Sequence, residues 1–209
     1  FPTKEEYRHK VIPNVVAVQG EGYVAKVREF CPDLDVCIAP AFRYTHLWKR
    51  NKRPQKFSGH FMVVVTLPMS KKDSLHLIRT MLQAMKHCSN TKLPLSGDVK
   101  LVFKAHPTIS IDNLHEELDM HEFRDMEIMS GSMSDVLEIA DVVVSTASGT
   151  CMEAVASGIP VVIVAGGGGP TSNPIPKEID RSLWRICYTP EEIYRNVIDL
   201  RSGQRGDYM

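Results

Sequence analysis

Two short stretches carry residue types that could do chemistry together. The first is "VSTASGTCMEAVASGIP" (144–160), where an apolar run ends in small hydroxyl residues and a helical pattern begins at once. A helix N-terminus leaves about four unpaired N–H groups and roughly half a unit of positive charge. Small residues let an anion approach that backbone, and hydroxyls add donors. Ser145, Ser148, Gly149 and Thr150 therefore form a candidate seat for one or two phosphoryl groups. Glu153 follows a turn later, where a carboxylate could accept two hydrogen bonds from a ribose diol, as acidic residues do in dinucleotide folds. Plainer roles compete: Ser148 as an ordinary N-cap, and Glu153 as an acid favoured by the helix dipole.

The second stretch is "KAHP" (104–107). Pro107 biases His106 toward an extended backbone, which would lean its ring over the end of the preceding apolar run. An imidazole there could donate to a phosphate or act as general acid toward a leaving phosphate. A lone histidine is more often structural, and the other seven are read as structural or exposed. Lys104 could steer a phosphate or simply be solvated.

These residues need a scaffold that brings them to one place. From residue 60 onward, apolar runs alternate with helical patterns. Strands are expected at 60–68, 99–107, 126–130, 141–146, 160–166 and 184–189. Helices are expected at 71–88 (capped by Ser70), 112–123, 134–140, 150–158 and 190–200 (capped by Thr189, with Glu192 at the capping-box position). Near-continuous apolar strands separated by helices predict a parallel sheet covered on both faces. The expected class is α/β, a doubly wound, Rossmann-like parallel sheet of six strands, with ligands at the strands' carboxyl ends. Those ends supply Thr66, His106, Ser132, Ser145 and the run Gly166, Gly167, Gly168, Gly169, the last read as a loop that moves or as a backbone anion nest. No GxGxxG after the first strand and no GxxxxGK[ST] occurs, which disfavours ordinary dinucleotide binding and P-loop chemistry.

Residues 1–50 hold two further short strands (14–20 and 35–44) around a helix at 23–30. They read as the tail of a preceding domain and a crossover. The basic, proline-containing segment 51–58 reads as a linker, 59–200 as the ligand-binding domain, and 201–209 as a polar tail. The chain has 209 residues, 43% of them hydrophobic and 24% charged, with Lys plus Arg equal to Asp plus Glu. That balance argues against nucleic acid as a partner. Five scattered cysteines without a CxxC pair argue against a disulfide framework or zinc site and fit a reducing cytoplasm. No apolar stretch reaches the ~18 residues of a membrane span, and no signal peptide is read. The first residue is Phe1, so the chain is read as part of a longer protein.

At "KAHP" and "ADVVVSTASGTCMEAVASGIPVV" the sequence resembles the C-terminal, donor-binding domain of GT-B glycosyltransferases. The similarity is closest to bacterial surface-polysaccharide enzymes: the sialyltransferase, Kdo-transferase and CDP-glycerol glycerophosphotransferase groups. The resemblance covers about 59–200. It implies that His106 and Pro107, with Ser148 and Thr150, contact the phosphate of a nucleotide-activated sugar, CMP-, CDP- or UDP-linked, and that Glu153 is the ribose-binding acid. Gly149 stands where many sialyltransferases have a second hydroxyl residue. The interval from Ser148 to Pro160 matches the glycerophosphotransferases and is one residue shorter than in the epimerases, which leaves the base open. The implied partners are the nucleotide sugar and a glycan or lipid acceptor held by an N-terminal domain. That domain would also carry the catalytic base, so this piece alone is expected to be inactive. Peripheral membrane association of the full-length protein is compatible with that reading. Neither a cofactor nor a metal is expected, since no DxD-like carboxylate cluster lies near a strand end. The alternatives are a non-hydrolysing UDP-sugar 2-epimerase-like enzyme and a non-catalytic transferase-like binding module.

Overall fold

The structure, a computed structural model, describes residues 3–48, 59–90, 99–110, 113–114, 116–118, 126–166 and 171–206. The chain divides into two compact units, Phe1–Lys49 and Arg50–Met209. In the first, helix α1 (Lys4–Arg8) precedes strand β1 (Val15–Val18), helix α2 (Glu21–Phe30), strand β2 (Asp35–Ile38) and helix α3 (Thr45–Trp48). The two strands pair in parallel, and Val18, Val27, Cys31 and Leu34 form a small core of their own. β1 stops short of its expected end because Gly20, at φ +106°, turns the chain into α2.

The second unit carries strand β3 (Phe61–Thr66), helix α4 (Lys71–Asn90), strands β4 (Val99–Lys104) and β5 (Glu127–Met129), helix α5 (Met133–Ile139), strand β6 (Val142–Ser145), helix α6 (Gly149–Ala156), strands β7 (Val161–Val164) and β8 (Trp184–Cys187), and helix α7 (Pro190–Gly206). All six strands run parallel, in the order β5-β4-β3-β6-β7-β8. Numbered along the chain that is 3-2-1-4-5-6, the order of a doubly wound Rossmann-like sheet. The expected linker 51–58, and most of the helix expected at 112–123, lie outside the described residues. The last helix runs to Gly206, so the segment from 201 begins as helix rather than tail, with Arg201 buried.

The sheet's two faces follow from alternation along each strand. Val63, Val65, Phe103, Val142, Val144, Val162 and Val164 share one cluster with Leu75, Ile78 and Met81 of α4 and Ile193 and Val197 of α7. The opposite face therefore carries Met62, Val64, Thr66, Lys104, Val143 and Ser145. Burying a β-branched side chain such as Val63, Val64 or Val65, each at most 1% exposed, contributes roughly 1.5–3 kcal/mol.

At the amino end of the sheet, one polar side chain is buried for structural reasons. The Asp141 carboxylate, 5% exposed, accepts the Met62 N–H at 2.7 Å, while the Asp141 N–H donates to the Met62 carbonyl at 2.8 Å. This pair sets the register of β6 against β3. Asp141→Ala would leave a buried N–H unpaired and is expected to cost about 1–3 kcal/mol in urea unfolding. A cost below about 0.5 kcal/mol, typical of an ordinary surface change, would show that the pair is dispensable.

Candidate functional site

The direction of winding reverses between β3 and β6. Loops leaving those two strands part toward opposite faces, and the crevice between them is where open α/β sheets bind ligands. Thr66 ends β3 and Ser145 ends β6, and the two are direct register partners. Both are buried, at 4% and 1% exposure. Helix α6 starts directly above them. Ser148 is its N-cap, with φ −143° and ψ 163°, and its hydroxyl accepts the Thr150 N–H at 3.1 Å.

Thr150 is the hub of this arrangement. Its Oγ1 lies 2.6 Å from Ser148 Oγ, 3.3 Å from Thr66 Oγ1 and 3.4 Å from Ser145 Oγ. Ser145 donates its proton to the Thr66 carbonyl at 3.3 Å, so it has none to offer Thr150. The 2.6 Å contact between Ser148 and Thr150 takes one of their two hydroxyl protons; the other is not committed to a carbonyl and can turn toward an incoming acceptor. The N-cap reading of Ser148 and the ligand reading are thus compatible, because capping uses only a lone pair of the hydroxyl and the Ser148–Thr150 pair keeps one proton to offer.

His106 sits at the end of β4, on the other side of β3. The Ile109 N–H donates to the His106 carbonyl at 3.0 Å, closing a four-residue turn with Pro107 at its second position, where proline presets φ. The Thr108 N–H donates to His106 Nδ1 at 3.2 Å, and Thr108 Oγ1 lies 2.7 Å from the same nitrogen. An N–H can only donate, so Nδ1 is the acceptor and the ring proton sits on Nε2. The turn thereby fixes both tautomer and ring orientation. No partner for Nε2 is found among the described residues, and the ring is half-buried rather than packed away. β4 and β6 flank β3, so the strands that carry the two stretches end on the same edge of the sheet, two strand spacings or about 10 Å apart.

The remaining expected site residues fall in different places. Ser132 is the N-cap of α5 in a reciprocal capping box with Asp135, whose carboxylate accepts both the Ser132 N–H and its hydroxyl. A neighbouring carboxylate would repel phosphate, so the structure gives Ser132 a local role. The signal for it, an acid three residues after a serine, is present in the sequence. Glu153 lies one turn after Thr150, is 8% exposed and already has a partner within the fold. Gly166 is exposed, and Gly167, Gly168 and Gly169 lie outside the described residues. Cys151, fully buried, donates its thiol to the Thr146 carbonyl, and burial pushes that thiol up, which removes it as a nucleophile despite its place in the first turn of a helix. Among the described residues no group of three His, Cys, Asp or Glu side chains converges as a metal site would need.

Both stretches fall inside one segment that compares with known proteins. Residues 103–170 match the model of a family described as "Putative glycosyltransferase (DUF6716)". That segment is glycosyltransferase-like. No curated protein matches the chain by sequence. Two solved structures from Thermosulfurimonas dismutans are similar to it. One is KpsC, beta Kdo 2,7 transferase, at 20% identity and TM-score 0.42 over 72% of this chain and 46% of that one. The other is KpsC, beta Kdo 2,4 transferase, at 15% identity and TM-score 0.40 over 77% of this chain and 53% of that one. The chain spans about half the length of each of these structures. The glycosyltransferase-like segment begins within β4 and ends just past Gly169, so it holds His106, Pro107, Ser145, Ser148, Thr150 and Glu153 but not Thr66.

Proposed function

We propose that the second unit is the donor-binding half of a GT-B-type glycosyltransferase and receives the phosphate of a nucleotide-activated sugar between the Ser148–Thr150 helix start and His106. The observation that carries this reading is the hydroxyl hub on Thr150 at the sheet's reversal point, with a tautomer-fixed imidazole at the neighbouring strand end. In the transfer, the bond between the sugar's anomeric carbon and a phosphate oxygen breaks. A bond from an acceptor oxygen to that carbon forms, and the acceptor's proton goes to a base. Negative charge develops on the departing phosphate. The free proton of the Ser148–Thr150 pair, the Gly149 amide at the first position of α6 and the His106 Nε2–H are donors suited to that charge, and their positions are set before it develops. In this reading His106 is a hydrogen-bond donor to the departing oxygen and not a general acid, because with Nδ1 an acceptor the neutral ring holds its Nε2 proton too tightly to transfer it.

The acceptor, a glycan or lipid, and the base belong to the rest of the protein in this reading, and no cofactor is required beyond the nucleotide sugar. Among the described residues no helix is long and apolar enough to cross a membrane. Association of the whole protein with a membrane surface from the cytoplasmic side is part of the same proposal.

A thermal-shift panel of CMP, CDP, UDP and GDP tests the reading. At least one of the pyrimidine nucleotides is expected to stabilise the chain, by about 2.7 kcal/mol at 100 times its dissociation constant. If none of the four shifts the midpoint, the donor-site reading fails.

A further inference from the structure

We propose that Lys104 is the fixed cation of this site, pairing with the negative charge of the phosphoryl group. The inference rests on the donor-site reading above and adds the residue that makes the site select for charge.

In the sheet register Thr66 pairs with Lys104 on one side and with Ser145 on the other. Register partners in a parallel sheet project from the same face, with neighbouring strands about 4.8 Å apart. Lys104, Thr66 and Ser145 therefore form one row along the carboxyl edge, on the face where Thr66 meets Thr150. His106 lies two residues beyond Lys104, and an extended backbone there returns its side chain to the same side. The row thus runs from ammonium to hydroxyls, with the imidazole above the ammonium.

The Lys104 side chain is not a solvated arm. It is half-buried, and Nζ donates to the Ala105 carbonyl at 3.1 Å, which holds the ammonium back over its own strand end. An ammonium has three donors, so two remain. Among the described residues no carboxylate lies within ion-pair reach of it. Two other lysines of the same unit are paired: Lys71 with Glu117 and Lys100 with Glu127, each at 2.8 Å. Lys100 is on the same strand and the same face as Lys104. The strand's cation at the far end is thus neutralised within the protein, while the one beside the hydroxyl row is left for something else. Hydroxyls and amides alone offer a neutral cradle. A phosphate monoester brings about 1.5–2 negative charges and is better matched by a cradle with a cation.

The test is calorimetric binding of pyrophosphate and of CDP to the chain and to Lys104→Met, Lys104→Arg and Ser148→Ala. Lys104→Met is expected to weaken both ligands about tenfold to a hundredfold, with Lys104→Arg within a few-fold of the parent. If Lys104→Met binds as the parent does while Ser148→Ala has lost affinity, the lysine's role is overturned and the donor site stands. If the unsubstituted chain binds neither probe, both fall. Should Lys104→Met fold poorly, the unsubstituted chain still decides. Its pyrophosphate affinity must fall as salt rises from about 50 to 500 mM, and a flat response overturns the assignment.

Discussion

Replacing Thr150 by valine is expected to weaken nucleotide binding by about 30- to 150-fold, equivalent to roughly 2–3 kcal/mol. Valine keeps the shape and β-branching of threonine, so helix α6 should still form. What it removes is the oxygen on which Ser148, Thr66 and Ser145 converge at 2.6, 3.3 and 3.4 Å. A methyl group would then face the Thr66 and Ser145 hydroxyls, one direct donor to phosphate would be gone, and the Ser148 hydroxyl would lose its closest neighbour. Thr150→Ser restores the oxygen at the cost of one methyl group and should stay within a few-fold of the parent. Calorimetric affinities set beside urea midpoints separate the local loss from general destabilisation. If valine and serine behave alike, the hub has no part in binding.

His106→Ala should have the second large effect, lowering nucleotide affinity at least about tenfold through loss of one charge-assisted donor. Because the same Nε2–H faces the charge that grows on the departing phosphate, release of nucleotide from the donor sugar in the full-length enzyme should slow by a further 10²-fold or so. His106→Gln checks the donor role. Its amide can donate where Nε2–H did, so binding and turnover should both largely return. Unchanged kinetics in both variants would remove His106 from the mechanism. Thr108→Val offers a milder check, since it takes away the hydroxyl 2.7 Å from Nδ1 but keeps the backbone donor that fixes the tautomer.

Much of this organisation could be read in the residues themselves, for physical reasons. The six strands of the second unit announce themselves because a parallel sheet covered on both faces needs apolar side chains on both, and "HFMVVVTLP" and "DVVVST" have no other place to go. Their ends were harder to place. β3 stops at Thr66 and β4 at Lys104, two or three residues before the expected strands end, at Pro68 and Pro107, which have no N–H to give the ladder. His106 and the Ser148–Thr150 cluster were visible as strand-end residues with suitable chemistry. How deep each hydroxyl lies was not. Thr66 and Ser145 look like ligand contacts along the chain, yet both are buried as register partners, and in the proposed site they back Thr150 from below. Lys104 is ambiguous for the same reason: its side of the sheet depends on pairing with Thr66, a relation between residues 38 positions apart.

The most direct test is a crystal structure of the chain with the best-binding pyrimidine nucleotide. The account predicts one phosphoryl group with oxygens within about 3.2 Å of Ser148 Oγ or Thr150 Oγ1 and, at the same time, of His106 Nε2. A nucleotide whose phosphate lies away from α6, or touches the hydroxyls while His106 Nε2 faces bulk solvent, would contradict it.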